Sequence, residues 1–185
     1  MKQFIKLKAF LFHILYIIIM KGEKMRKFEK VSLEEYHKCQ IGYDDTWYNN
    51  LKLPERKTKN SAGYDISIPF DLTLKAHSTS TFPTLVKAKM DEDDVLIIVP
   101  RSSLGFKHNV RLTNSLGVVD CDYYGNPKNE GHIFVKFYNP NNYDIEFKAG
   151  ERVAQGIFIK YGITEDDKTT EERVGGIGST NKEEN

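Results

Sequence analysis

The fold is decided by residues 114–139, which read NSLGVVDCDYYGNPKNEGHIFVKFYN. An apolar run enters the acidic segment 120–123, and a segment rich in Gly, Asn and Pro follows at 125–131. A predicted strand then returns, with apolar side chains at the alternate positions Ile133, Val135 and Phe137. Two β-rich runs on either side of Gly, Asn and Pro predict a β-hairpin.

Two carboxylates, Asp120 and Asp122, stand one residue apart on this predicted hairpin. Like charges this close are unfavourable for stability, and such local violations are typical of functional sites. The alternative is an acidic, solvated turn, and this stretch alone does not decide between the two. Cys121 lies between the carboxylates, but no base accompanies it, so we expect a buried small side chain rather than a nucleophile.

Short apolar or alternating runs recur along residues 61–163, with Gly, Pro, Asn or Asp between them. None of these runs keeps a 3.6-residue period over three helical turns. The pattern therefore predicts an all-β domain, a sandwich or a barrel. The predicted strands are 64–68, 72–74, 81–88, 95–99, 110–116, 132–138, 145–147 and 153–160.

The segments on either side of this domain differ from it in composition. In residues 25–60, Ser32 stands three positions before Glu35, which is a capping box and predicts the start of a short helix. Residues 42–60 predict a linker from which Trp47 and Tyr48 dock on the core or on a neighbouring subunit. The polar, glycine-containing residues 164–185 predict a mobile C-terminal arm.

Residues 1–24 include the apolar run 9–20, which is shorter than the ~20 residues needed to span a bilayer. A signal peptide is disfavoured, because no small-x-small cleavage site follows. The segment 21–25, KGEKM, can be encoded by a purine-rich ribosome-binding sequence followed by a start codon. We therefore expect residues 1–24 to be an upstream extension or a flexible hydrophobic segment, with the working protein beginning at Met25.

Bulk composition excludes several classes of function. The chain has 185 residues, 29% of them charged, and a net charge of +1, so charge indicates neither a nucleic-acid partner nor a membrane surface. Its two cysteines form neither a disulfide framework nor a metal cluster. This cysteine content is typical of the reducing cytoplasm.

Four further polar stretches carry candidate chemistry: AGYDI at 62–66, PRSSLG at 100–105, RVAQ at 152–155 and RVGGIGST at 173–180. Arginine and hydroxyl groups beside a turn suit a phosphate, although 100–105 also fits a capped turn before a helix. The glycines of 173–180 do not fit a Walker A loop, and a flexible linker is the alternative. Together with Asp120, these stretches indicate chemistry on a nucleoside polyphosphate.

In this order and spacing, the five stretches resemble the motifs of the trimeric dUTPase family, AGxDL, PRSSxG, GxIDxDYxG, RxAQ and RxGGFGST. The resemblance covers about residues 50–180. It implies an all-β jelly-roll or barrel, a homotrimer with shared active sites, and cytoplasmic hydrolysis of dUTP to dUMP and pyrophosphate with Mg²⁺. This reaction would supply dUMP for thymidylate synthesis and keep uracil out of DNA.

The resemblance also implies roles for single residues. Asp120 would be the catalytic residue that holds and deprotonates the water attacking the α-phosphorus. Tyr123 would pack under the deoxyribose and leave no room for a 2′-hydroxyl. Asn114, with the backbone at Gly117 and Val119, would read the uracil edge.

For the phosphates, the resemblance implies a set of donors and an arm that closes over them: Arg101, Ser102, Ser103, Gln155, Arg173, Ile177, Gly178, Ser179 and Thr180. It implies supporting roles for Asp65, Asp122 and Arg152. Mg²⁺ would be held mainly by the phosphates and water, with no direct protein ligand.

Two departures from the family pattern stand out. Ile177 replaces the phenylalanine that stacks on uracil, and no aromatic residue follows Tyr161. Either an apolar side chain suffices there, or an aromatic from elsewhere, such as Tyr124 or Phe106, covers the base. The predicted hairpin is also longer, through residues 127–131.

Two rival functions remain open at this point. One is a dCTP deaminase on the same fold, which would release ammonia from dCTP. The other is a nucleotide-binding regulatory protein.

Overall fold

The structure is a computed structural model that describes residues 25–39, 45–171, 173 and 175. The predicted extension, residues 1–24, lies outside the described residues. In order, the described elements are β1 (Lys27–Lys30), α1 (Leu33–Lys38), α2 (Thr46–Asn50), β2 (Tyr64–Ser67), β3 (Leu72–Leu74), β4 (Thr79–Pro83), β5 (Val86–Lys89), β6 (Asp94–Pro100), α3 (Ser102–His108), β7 (Arg111–Leu112), β8 (Gly117–Asp120), a 3₁₀ turn (Cys121–Tyr123), β9 (Phe134–Tyr138), β10 (Ile145–Phe147) and β11 (Arg152–Lys160).

The strands pair antiparallel throughout the described chain, in a four-stranded sheet of order β2-β11-β6-β8, a three-stranded sheet of order β4-β9-β7, and two ribbons, β1-β5 and β10-β3. Alternation places Leu96 and Ile98 of β6 in one core with Val135 and Phe137 of β9. Burying each such side chain contributes about 1.5–3 kcal/mol. The predicted all-β fold is confirmed.

The predicted hairpin is wrong, because its two strands lie in different sheets. β8 pairs with β6, whereas β9 pairs with β4 and β7. The residues between them, 121–133, are too many for the two- to five-residue turn of a tight hairpin, and the 3₁₀ turn redirects the chain. We call residues 121–133 the crossover loop, since they carry the chain from the four-stranded to the three-stranded sheet.

Other boundaries differ in ways that have local causes. The predicted strand 81–88 is broken between β4 and β5, where Leu85 has a φ of 61° and the chain changes partner from β9 to β1. The helix expected after Ser32 is formed as α1. A second short helix, α2, occupies part of the predicted linker, and the Tyr48 hydroxyl donates to the Val31 carbonyl at 2.7 Å.

At the C-terminal end, residues 164–171 are exposed and form no regular element. None of the helices in the described ranges is long and apolar enough to cross a membrane.

Candidate active site

A cavity of about 430 Å³ opens between the two sheets, bounded by β8 on one side and β9 on the other. Gly117 is the first residue of β8 and packs closely against β6. A Cβ atom at this position would lie 3.1 Å from the Cβ of Ile98, so the absence of a side chain permits the close approach. The predicted uracil-reading residues all line this cavity: Asn114, Gly117 and Val119. These three residues therefore share one wall of the cavity.

Tyr123 lies at the base of the cavity and is 8% exposed. Its hydroxyl donates to the His132 carbonyl at 2.8 Å and accepts from Asn129 Nδ2 at 2.8 Å. Burial raises the pKa of Tyr123, so the phenol is neutral at physiological pH. With both hydroxyl functions engaged, the ring has a fixed position beneath the pocket.

Asp120 ends β8 at the rim of the same cavity, with half of its side chain exposed. The Arg173 guanidinium contacts Asp120 and lies 2.8 Å from Asp122 Oδ1. Burial would lower the pKa of Arg173, but Asp122 and Asp120 outweigh it and raise that pKa, so the arginine stays charged. Arg173, which was expected to bind phosphate, thus contacts two carboxylates of its own chain.

A second group of site residues, which we call the Asp65 cluster, consists of Asp65, Arg101, Arg152 and Gln155. Asp65 is 6% exposed and is held by Arg152 Nη1 at 2.7 Å from Oδ2 and by Gln155 Nε2 at 3.0 Å from Oδ1. Arg101 Nε lies 3.5 Å from Oδ1. Pairing of β2 and β6 with β11 brings these residues together, because Gln155 stands opposite both Asp65 and Val99.

The two serine hydroxyl groups of the PRSS motif lie next to Arg101 in the chain. Ser102 and Ser103 occupy the first turn of α3, immediately after Arg101, and Ser102 is exposed. Both serines therefore lie next to the Asp65 cluster, and neither lines the cavity at β8.

The two groups lie far apart within one chain. Asp120 is opposite Val95 in the pairing of β8 with β6, and Arg101 is six positions beyond Val95. At ~3.3 Å per strand residue, this separation is about 20 Å. Reacting groups must approach within ~3–3.5 Å, so Asp120 and Arg101 of one chain cannot act on the same phosphate.

Some cavity residues had no sequence signal as site residues. Lys136 and Phe134 of β9 line the cavity, although the alternation of β9 indicated only an exposed face. Neither Tyr124 nor Phe106, the two expected substitutes for the missing aromatic, lines it: Tyr124 donates to Glu29 at 2.6 Å, and Phe106 is 91% exposed on α3. The predicted arm residues Ile177, Gly178, Ser179 and Thr180 lie outside the described residues.

Comparison with known proteins finds one family model in agreement with these motifs, that of dUTPase, which matches residues 49–181. A curated relative, the deoxyuridine 5′-triphosphate nucleotidohydrolase of Lactococcus lactis, is 40% identical over 139 residues. That alignment covers 73% of this chain and 93% of the relative.

Solved structures agree with the fold. The crystal structure of dUTPase from Streptococcus mutans has a TM-score of 0.61 and 38% identity, and the match covers 74% of this chain and 97% of that one. A dUTPase from phage phi11 of S. aureus, described with a structural Mg(II) ion, has a TM-score of 0.59 over 80% of this chain and 97% of that one. At 17% identity, the phage protein supports the fold alone.

Proposed function

The chain belongs to the dUTPase family, and we propose that it carries out the family reaction, hydrolysis of dUTP to dUMP and pyrophosphate, at sites built jointly by copies of the chain. The observation that carries this proposal is the cavity with Asp120 at its rim and Tyr123 at its base. Such a cavity offers an apolar slot for a flat ring, backbone groups for its edge, and one accessible carboxylate beside it.

In this mechanism Asp120 is the general base. Its half-exposed carboxylate accepts a proton from a water molecule, and the water oxygen forms a bond to the α-phosphorus. The bond from that phosphorus to the bridging oxygen breaks, and pyrophosphate leaves. Positioning dominates such phosphoryl chemistry, so a carboxylate fixed at the end of a strand suits the task.

Arg173 acts in two places in our proposal. Its contacts with Asp120 and Asp122 neutralise the two carboxylates. A triphosphate carries more negative charge than these carboxylates and draws the guanidinium away, which frees Asp120 for the water. Arg173 then binds phosphate together with Ser179 and Thr180 of the arm.

Substrate choice follows from the walls of the cavity. The buried, doubly hydrogen-bonded Tyr123 ring lies under the sugar and leaves no space for a 2′-hydroxyl. Backbone groups at Gly117 and Val119, with Asn114, pair with the uracil edge, and a mismatched base would leave buried polar groups unpaired. With Ile177 in place of the usual aromatic, an apolar side chain of the arm covers the base.

The Asp65 cluster of one copy binds the phosphates of the nucleotide whose base lies in the cavity of another copy. Arg101, Ser102 and Ser103 supply cationic and hydroxyl donors, and Asp65 orients Arg101 and Gln155. Both oxygens of Asp65 already accept hydrogen bonds, which favours contact with Mg²⁺ through water rather than directly. When bound, Mg²⁺ neutralises phosphate charge.

Two observations support a shared site in a homotrimer. We call the cavity at β8 and the Asp65 cluster the two half-sites. They are about 20 Å apart along β6, so one chain alone does not form a complete site. Apolar side chains are also exposed beside the half-sites, including Val118 at 58% and Phe106 at 91%, and contact with another copy would bury them. We place the reaction in the cytoplasm, in keeping with two free cysteines.

The decisive experiment measures pyrophosphate release from dUTP, dTTP, dCTP and UTP with Mg²⁺. We expect turnover selective for dUTP and a loss of about 10²–10⁴-fold in kcat for Asp120→Asn. Asp122→Asn is the matched control, since it removes the neighbouring carboxylate and should cost far less. Equal turnover of UTP would contradict the role of Tyr123, unchanged turnover by Asp120→Asn would contradict the mechanism, and ammonia release from dCTP would indicate the rival deaminase.

A further inference from the structure

The N-terminal segment, residues 25–39, contacts the crossover loop although the two are far apart in sequence. This segment precedes the part of the chain that matches the family model, which begins at residue 49. β1 pairs with β5, and α1 then begins beside residues 130–132. The Tyr124 hydroxyl of the loop donates to Glu29 at 2.6 Å, and two carboxylate contacts join the segment to residues 130–132, one through Ser32 and one through Glu35.

The first contact joins Ser32 to Glu130. Ser32 Oγ accepts from the Glu35 amide at 3.1 Å, as a capping box requires. The Ser32 amide, however, donates to Glu130 Oε2 at 3.1 Å, and the Ser32 hydroxyl donates to Glu130 Oε1. Glu130, which Lys87 Nζ contacts at 2.9 Å, thus replaces the Glu35 carboxylate in the capping box.

The second contact joins Glu35 to His132. It uses the Glu35 carboxylate, which is not needed for the capping box because Glu130 takes its place. Glu35 is 3% exposed, and its Oε1 lies 3.0 Å from Nδ1 of the fully buried His132. The Leu85 amide donates to His132 Nε2 at 3.0 Å. Because a backbone amide only donates, Nε2 is unprotonated and Nδ1 carries the proton that Glu35 accepts.

The same proton argues against a metal centre at this position. Glu35, Cys39 and His132 offer ligand atoms within 4.8 Å of one another. Nδ1 faces this group with its proton, so it has no lone pair for an ion. Burial and the nearby Glu35 raise the pKa of the Cys39 thiol to about 11, which keeps it protonated. The group is therefore a hydrogen-bonded support.

From His132 and its neighbours the contacts reach the base of the cavity. The His132 carbonyl accepts from the Tyr123 hydroxyl at 2.8 Å. Gly131 has a φ of 87°, and a Cβ atom there would lie 2.6 Å from the Tyr123 carbonyl oxygen. The turn at 130–132 therefore packs directly on Tyr123, and a displacement of this turn displaces the ring.

We propose that Ser32 and Glu35 are positioning residues for dUTP hydrolysis, which act through Glu130 and His132 to hold Tyr123 where its ring excludes a 2′-hydroxyl. This rests on the proposed function, in which Tyr123 packs under the sugar. The N-terminal segment and the crossover loop then act together, because the segment supplies Ser32 and Glu35 and the loop supplies their partners Glu130 and His132. Its effect is on substrate choice, since Asp120 lies on β8 and takes no part in these contacts.

The test measures kcat/KM for dUTP and for UTP with wild type, Glu35→Ala and Ser32→Ala. We expect the UTP-to-dUTP ratio to rise about tenfold in both variants, because the ring can then give way to the additional hydroxyl. A purely structural loss would reduce the active fraction equally for both substrates and leave the ratio unchanged. The matched control is Glu34→Ala, which removes the adjacent glutamate of the same helix, 82% exposed, and should keep the wild-type ratio.

Ser32→Thr retains a hydroxyl and should restore the wild-type ratio. Hydrogen–deuterium exchange of the full chain is a second measurement, and Ser32→Ala should accelerate exchange at residues 125–132 while β6 stays unchanged. A wild-type ratio in soluble Glu35→Ala and Ser32→Ala, or unchanged exchange in the loop, would overturn the proposal. Failure of the proposed function is distinct, because wild type would then not hydrolyse dUTP or Asp120→Asn would remain active.

Discussion

At one end of β6, beside Pro100, the carboxylate of Asp65 is 6% exposed and is held by Arg152 and Gln155. At the other end, beside Val95, Asp120 keeps half of its side chain exposed and meets one arginine of the C-terminal arm. A buried carboxylate with several fixed donors orients its neighbours. A half-exposed carboxylate with one displaceable partner remains able to bind water and accept a proton.

This difference indicates how the work of the enzyme is divided. The Asp65 cluster is joined by hydrogen bonds and is rich in cationic and amide donors, which suits the phosphate charge that is the same in every nucleoside triphosphate. The cavity at β8 combines apolar walls with polar side chains such as Asn114 and Asp120, which suits the recognition of one base and one sugar. The two lie at opposite ends of one strand, and in the proposed homotrimer separate copies of the chain bring them to a single substrate.

The largest effect is expected from mixing two inactive variants. Arg101→Ala damages only the phosphate-binding Asp65 cluster, and Asp120→Asn removes only the general base at the β8 cavity. The proposed homotrimer of either variant should therefore lose nearly all activity. Coexpression should restore about a quarter of wild-type turnover per site, since each half-site is intact in half of the copies. Coexpression of Asp120→Asn with Asp120→Ala is the control and should stay inactive.

If the mixed preparation shows no recovery although both variants assemble, the two half-sites belong to one chain, and the division along β6 is wrong.

A smaller effect is expected from Asp65→Asn, which keeps the shape but removes the charge that orients Arg101 and Arg152. We expect kcat/KM for dUTP to fall about 10–100-fold, mainly through KM and a higher requirement for Mg²⁺. The affinity for dUMP, which lacks the two outer phosphates, should change little. Steady-state kinetics and calorimetric binding of dUMP measure the two. Loss of dUMP affinity would place Asp65 with the base-reading cavity instead.

The smallest effect concerns the stability of the crossover loop. Burial alone would raise the pKa of Glu130, but hydrogen bonds from Ser32 and the Lys87 ammonium lower it to about 2. Since the folded pKa lies below the ordinary value, the contribution to stability is present above that value and is lost as pH falls towards 2. Allowing for partial exposure, we expect Glu130→Gln to reduce the free energy of unfolding by about 1 kcal/mol at pH 7.

Urea unfolding of wild type and Glu130→Gln at equal protein concentration, between pH 7 and pH 3, measures this difference. The gap between the two proteins should narrow with acid. Glu34→Gln serves as the control, because an exposed helix pair contributes little. A gap that stays constant across the pH range would show that Glu130 acts without its charge.

Local patterns in the sequence were sufficient for much of the fold. Alternation in β6 and β9 and the punctuation between strands predict the all-β class, because burial of one strand face leaves a period of two. The Ser32 cap likewise predicts α1. These features depend on neighbours along the chain, which a sequence displays directly.

Strand pairing depends on distant residues, and there the prediction is wrong. β8 and β9 follow each other along the chain, yet β8 pairs with β6. Nothing local distinguishes a hairpin from a crossover once the connection exceeds a few residues. The same holds for Glu35, whose partner His132 is 97 positions away.

The candidate site is predictable where a motif contains the chemistry. Asp120, Tyr123 and Gly117 lie together at the cavity, and Asp65 meets Arg152 and Gln155. The separation of these two groups is not visible in the motifs, because it follows from the alignment of strands across the four-stranded sheet. Lys136 was missed for a similar reason, since an exposed lysine on an alternating strand has no local mark of function.

The cavity has one wall on each sheet, with β8 on one side and β9 on the other. Its width therefore depends on the spacing between the two sheets, and buried rings of the three-stranded sheet, such as Phe82 and Phe137, fill the core between them. Enlarging or trimming these rings offers a way to retune base selectivity in an engineered enzyme without altering any group that meets the nucleotide. Compression under pressure should likewise act on selectivity before it acts on the fold.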